Sequence, residues 1–187
     1  MIEVAAALYL AQAPSLGSGA PPAAPSEEPQ RPPAVFVGNF GGWDLWDNAG
    51  SCAAISPFGD RGVELRISYY PSDNAAFLWI KDPAWRSIQD RSRHRVQIYF
   101  DNGASYSNAI AEGSNPLGGA GPPGINILLR GDFLSDFAAA NRMGVMMGER
   151  RLGLFSLRGT AALVERLRSC AENSLRRNPE DPFAEPS

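Results

Sequence analysis

Through the middle of the chain, apolar and polar residues alternate. Val63, Leu65, Ile67 and Tyr69 are interleaved with Glu64, Arg66, Ser68 and Tyr70, and Val96, Ile98 and Phe100 with Arg95, Gln97 and Tyr99. A period of two marks a half-buried strand, because successive side chains leave a pleated backbone on opposite faces. Residues 75–81 (AAFLWIK) read as a short apolar strand, and Gly124–Arg130 places Ile125, Ile127 and Leu129 on one face. Weaker strand signals cover 35–40, 43–47 and 104–111. Gly144–Met147 and Leu152–Leu157 flank Gly148-Glu149-Arg150-Arg151, a hairpin-turn sequence.

Two segments change to helical spacing. Asp132 is placed to cap a helix running to about Arg142, with Phe133, Leu134, Phe137 and Ala138 on its stripe. Thr160 is placed to cap a second helix, from Ala161 to about Asn173, in which Leu163, Leu167 and Cys170 fall at i, i+4 and i+7. A short turn is predicted near Ala84–Asp90. Gly113–Gly124 holds five glycines and three prolines in 12 positions and reads as a loop. Strands that follow one another without crossover helices pair antiparallel. The predicted fold is α+β: a mostly antiparallel sheet or sandwich of seven or eight short strands, packed by a C-terminal helix.

The ends of the chain read differently. Residues 1–13 (MIEVAAALYLAQA) carry an apolar run that closes on Ala-Gln-Ala, the small-x-small pattern of a secretory cleavage site. The run is short and lacks a basic lead, as a truncated export signal would. Residues 14–34 hold seven prolines in 21 positions, an extended tether rather than a packed element. Residues 178–187 (NPEDPFAEPS) read as a disordered acidic tail. A single domain is therefore expected over 35–177.

Charge narrows the partners. Of 17 bases and 20 acids, one base (Arg31) and six acids lie outside 35–177, which leaves the body with 16 bases and 14 acids, a net of +2. That is no nucleic-acid footprint, which requires a basic domain. No run of 18 apolar residues is present, so no membrane-spanning helix is predicted.

Cys52 and Cys170 are the two cysteines. In an exported chain they point to one disulfide; in a cytosolic chain they would be buried free thiols. The absence of C-x-x-C removes the sequence support for a redox motif.

Candidate chemistry is sparse. His94 is the single histidine, so His₂ and His₃ zinc sites are excluded and any serine or cysteine nucleophile would depend on it. It lies in Arg91-Ser92-Arg93-His94-Arg95 and reads as a solvated turn residue. Gly119-Ala-Gly-Pro-Pro-Gly124 matches a dinucleotide-binding pattern in letters only, because Pro122 and Pro123 have no N–H to offer a pyrophosphate and a strand follows. Asp44, Asp47, Asp60, Asp73, Asp82, Asp90 and Asp101 fall mostly at turns, where capping accounts for them. No catalytic residue, metal site or cofactor is predicted. The candidate binding surface is Trp43, Trp46, Arg91, Arg93 and Arg95. The two tryptophans, three apart on a strand, face opposite sides, so one is expected in the core.

The run Leu154-Phe-Ser-Leu-Arg-Gly-Thr-Ala-Ala-Leu163, followed by Leu167 and Cys170, resembles the end of the invasion-associated locus B proteins and similar exported domains of alphaproteobacteria. Trp43 and Trp46 followed by Cys52 resemble their early segment, and Phe133–Met143 is of the same style. The resemblance implies a periplasmic β-rich domain with a disulfide from an early strand to the last helix, and it supplies no catalytic residue. The resulting expectation is a non-enzymatic periplasmic or secreted domain that binds an envelope protein or cell-wall component. The alternatives are a small hydrolase using paired carboxylates and an inhibitor of another hydrolase that presents the 113–124 loop.

Overall fold

The computed structural model describes residues 33–48, 51–115 and 121–177. The predicted export signal, nearly all of the Pro-rich tether and the acidic tail lie outside the described residues. Ten strands form one sheet: β1 (Val35–Phe40), β2 (Trp43–Asp47), β3 (Cys52–Phe58), β4 (Val63–Tyr70), β5 (Ala75–Lys81), β6 (Arg93–Phe100), β7 (Ser105–Ser114), β8 (Gly124–Arg130), β9 (Arg142–Met147) and β10 (Arg150–Ser156). Two helices are added, α1 (Phe133–Ala139) and α2 (Thr160–Arg177). The strand order is β1-β2-β3-β4-β5-β8-β7-β6-β9-β10, with every neighbouring pair antiparallel.

The expected α+β class and antiparallel pairing hold. The expected seven or eight strands become ten. Cys52, read as part of a turn-rich segment, opens β3. That strand was masked by Asn-Ala-Gly-Ser before it and by Pro57 within it. β2 pairs only with residues 52–55, and Pro57 sits beyond that ladder, opposite Glu64 of β4, where one side of the strand has no partner to supply. β7 runs on to Ser114, and α1 stops at Ala139, with Arg142 already in β9. The segment near Ala84–Asp90 is a series of turns, closed by Trp85 N–H to Asp82 O (3.0 Å) and Ile88 N–H to Trp85 O (3.1 Å).

A ten-stranded antiparallel sheet curls rather than staying open, and here its two ends meet. The ring of Phe58 on β3 lies 5.2 Å from that of Phe155 on β10. The β1–β2 turn touches the turn before α2 so closely that a Cβ on Gly41 would stand 2.7 Å from the Cα of Gly159. Both glycines have positive φ, 64° and 84°, which a side chain would also disfavour. The core fills the inner face. Trp43, Leu45, Leu65, Ile67, Leu78, Ile80, Ile98 and Ile127 are buried there. Edge-to-face rings join Trp43 to Phe58 and to Phe137 of α1. α2 buries Leu163 and Leu167 of the predicted stripe, with Val164 and Ala171 beside them, against β2–β4, while Cys170 is half-buried in its disulfide.

Neither expected cap forms. Asp132 makes no side-chain capping bond. Thr160 Oγ1 lies 2.7 Å from Leu157 O and 3.0 Å from Phe137 O, so its proton goes backwards, to carbonyls. Phe137 O belongs to the last turn of α1, whose carbonyls lack intrahelical partners. The residue read as the cap of α2 closes the end of α1 instead.

Candidate binding face

Alternation divides the sheet's residues between two faces, and both helices lie on one of them. Phe137 of α1 meets Trp43 there, and Cys170 of α2 is bonded to Cys52. The register then fixes the opposite, outer face. One cross-strand row runs Phe36–Trp46–Ala53–Ser68–Phe77–Leu128 over β1, β2, β3, β4, β5 and β8. The next runs Asp44–Ile55–Arg66–Trp79–Asn126–Glu112–Arg93.

The outer rows carry rings where a solvated face would carry polar chains. Phe36 and Leu128 are 51% and 43% exposed, and Trp46, Tyr70, Phe77 and Trp79 are half-buried. Phe36 packs on Trp46 at 5.1 Å. Phe77 and Trp79 stack at 5.5 Å with an interplanar angle of 27°, and Tyr70 meets Phe77 edge-on. The Arg66 guanidinium lies 5.3 Å from the Trp79 ring centre, a cation–π contact, and its buried Nε has no hydrogen-bond partner. Rings gathered on one face, with a guanidinium over one of them, can engage an apolar surface of a partner.

The residues expected to form a binding surface are distributed unevenly over this geometry. Trp46 is on the outer face and Trp43, 1% exposed, is in the core, the division their spacing predicts; Trp43 is therefore removed from the surface. Arg93 and Arg95 are exposed on the outer face of β6. Six strand spacings of about 4.8 Å, roughly 29 Å along the sheet, separate them from Trp46. Arg91 occupies a tight turn at φ 58° and pairs loosely with Asp90 at 3.8 Å. Tyr70, Phe77, Trp79 and Arg66, the centre of the platform, were not singled out in the sequence. Their signal was present in the polar phase of β4 and the two aromatics of AAFLWIK, but the pairing that joins them needs the register.

Most of the groups considered for chemistry are engaged otherwise. His94 is a strand residue, not a turn residue. Ser92 Oγ donates to Gln89 O at 2.7 Å, so at 2.8 Å from His94 Nε2 it acts as acceptor and the ring donates. This is the reverse of what an activated serine needs. Asp44 accepts from Asn39 (2.7 Å), Asp82 from Ala84 N–H (2.9 Å) and Asp101 from Asn141 N–H (2.9 Å), each a local turn or strand-end bond. That amide is the main reason the Asp101 carboxyl sits below its ordinary 3.8. Tyr106 donates to Asp136 at 2.6 Å; burial first, and then this bond and charge, hold its phenol well above the usual range.

The two cysteines form a disulfide with a Cα–Cα distance of 6.0 Å across 118 residues of sequence. Asp47 lies beside it, within 4.8 Å of both sulfurs, and accepts from Ser174 (3.1 Å). Sulfurs bonded to each other are not thiolate ligands, so this trio is no metal site.

Together these features define an α+β domain in which a curled antiparallel sheet is joined by a disulfide to its last helix. The fold is similar to the crystal structure of invasion-associated protein B from Bartonella henselae, with a TM-score of 0.50 and 16% identity over 72% of this chain and 97% of that one. The distant likeness to that family, first seen in the C-terminal run, is thus present in the fold. No protein-family model matches the chain, and no curated protein does. No helix among the described residues is long and apolar enough to cross a membrane.

Proposed function

We propose that this is a periplasmic or secreted binding domain that makes and breaks no bonds, and that its partner is another protein of the cell envelope. One observation carries the reading: an aromatic platform, Phe77 and Trp79 with Arg66 over the ring, on the sheet face opposite both helices. The mainly apolar row spans six strands, five spacings of about 4.8 Å or roughly 24 Å. That is the breadth of one side of a standard protein interface, about 800 Å², and more than a single sugar ring fills. Tryptophan, tyrosine and arginine are also the residues on which interface energy concentrates. The disulfide supports an oxidising location. The engagement of Ser92, His94, Asp44, Asp82 and Asp101 supports a role without catalysis.

A photo-crosslinking amino acid at position 77, in the full-length exported chain, tests this in intact cells. The expected result is a discrete heavier adduct, lost when Trp79→Ala and Arg66→Ala are combined and absent with the probe at exposed Asn102. Labelling of cell-wall material alone, or none from either position 77 or 46 of the folded protein, overturns the reading.

A further inference from the structure

A cavity of about 200 Å³ opens on the inner side of the sheet, lined by no residue of either helix. Its walls are mainly apolar: Trp85 and Ile88 from the turns between β5 and β6, and Met147 and Leu152 from the β9–β10 hairpin, with Ser87 among the few polar lining residues. Two local hydrogen bonds and one from Asn115 hold the turn segment. Trp85 N–H binds Asp82 O, Ile88 N–H binds Trp85 O, and Asn115 Nδ2 donates to Ile88 O at 2.7 Å. A wall held this way is preformed rather than induced, as small-molecule sites usually are.

Arg150 gives the cavity a sign: it lines the cavity together with His94, and no carboxylate does. Neither the Arg150 guanidinium nor His94 Nδ1 has a hydrogen-bond or ion-pair partner among the described residues, whereas His94 Nε2 is committed to Ser92. One bidentate guanidinium beside four large apolar side chains suits a single carboxylate on an apolar body; His94, whose Nε2–H is given to Ser92, offers no second proton in its neutral form. A phosphate dianion would require more donors and gain nothing from the walls. The volume is below the ~300 Å³ at which drug-sized ligands begin, which sets the body at one ring or a short chain.

We propose that this cavity is a binding site for a small amphipathic monocarboxylate, its acid group held by Arg150 and its apolar body by Trp85, Ile88, Met147 and Leu152. The site is independent of the outer-face reading, and either stands if the other falls.

The test titrates the full chain with 3-phenylpropanoate and, separately, with its uncharged amide, by calorimetry and by NMR of the Trp85 indole and Met147 methyl. Saturable one-to-one binding of the acid is expected, with shifts confined to these groups and to His94. Arg150→Gln is expected to weaken the acid by about tenfold or more, the scale of a lost charge-assisted hydrogen bond, and to leave the amide unaffected. Leu152→Trp fills the cavity and is expected to abolish binding with the thermal midpoint retained; if that chain fails to fold, Ile88→Trp blocks the same space from the opposite wall. Equal affinity for acid and amide, indifference to Arg150→Gln, or no saturation by about 10 mM, weaker than the millimolar end of specific binding, overturns the proposal.

Discussion

Thr160 is 1% exposed and shares one hydroxyl proton between the carbonyls of Leu157 and Phe137. Replacement by valine keeps the shape and removes the donor, leaving a buried carbonyl at the end of α1 without its side-chain partner. The expected loss is about 1–3 kcal/mol, read as a lower urea midpoint at unchanged slope, while Thr160→Ser retains most of the stability. The sequence marks Thr160 as important for a local reason, capping, and the structure uses it for a contact made 23 residues away in sequence. The same distinction governs the binding face. That Trp43 and Trp46 divide between core and surface follows from their spacing alone. That Arg66 lies over Trp79 depends on which residue of β5 stands opposite which residue of β4, and no single-strand pattern contains it.

Elements with strong alternation, β4, β6 and β8, were legible because one face of each is buried and the other is not. β3 was not, because Ala53, Ala54 and Cys52 are all buried: its small outer residue Ala53 lies in the row between Trp46 and Ser68, which erases the period of two. The register of α1 to β9 was also hidden, since the α1 stripe fades into Ala138-Ala139-Ala140 without a breaker. What sets the boundary is Asp101, in the turn after β6, whose carboxylate accepts the N–H of Asn141 just before β9 begins. That bond holds the folded carboxyl below its ordinary 3.8, mainly through the Asn141 amide. A depressed folded value means stability that is present above 3.8 and lost as pH falls through the folded value. Asp101→Asn keeps an acceptor oxygen and removes the charge. The variant is therefore expected to be slightly less stable than the parent at pH 7, with the gap closing below about pH 4. Thermal midpoints measured across that range check it; a gap that is constant with pH would locate the effect elsewhere.

At the scale of the molecule, the disulfide and the curl of the sheet act on the same joint. β3 is early in the chain and α2 is last, yet Cys52 and Cys170 are bonded, Ser174 reaches Asp47, and the Gly41 and Gly159 turns touch. These contacts join segments more than a hundred residues apart, and loop closure of that length is costly for an unfolded chain to supply. The chain-entropy account assigns a crosslink over about 100 residues roughly 4–5 kcal/mol, much of the 5–15 kcal/mol typical of a whole domain. Cys52→Ala/Cys170→Ala together are expected to lower stability by about 2–5 kcal/mol, with a larger effect on the unfolded state than on the fold. The distinguishing measurement is therefore double. Urea unfolding of parent and variant gives the free-energy difference, and the denaturant slope reports the surface exposed. The variant should unfold at lower urea with a steeper slope, because an unfolded chain freed of its 118-residue crosslink exposes more surface. A variant with the parent's midpoint and slope would mean that the helix stripe of Leu163, Leu167 and Ala171, and the paired glycine turns, hold the joint without the covalent bond.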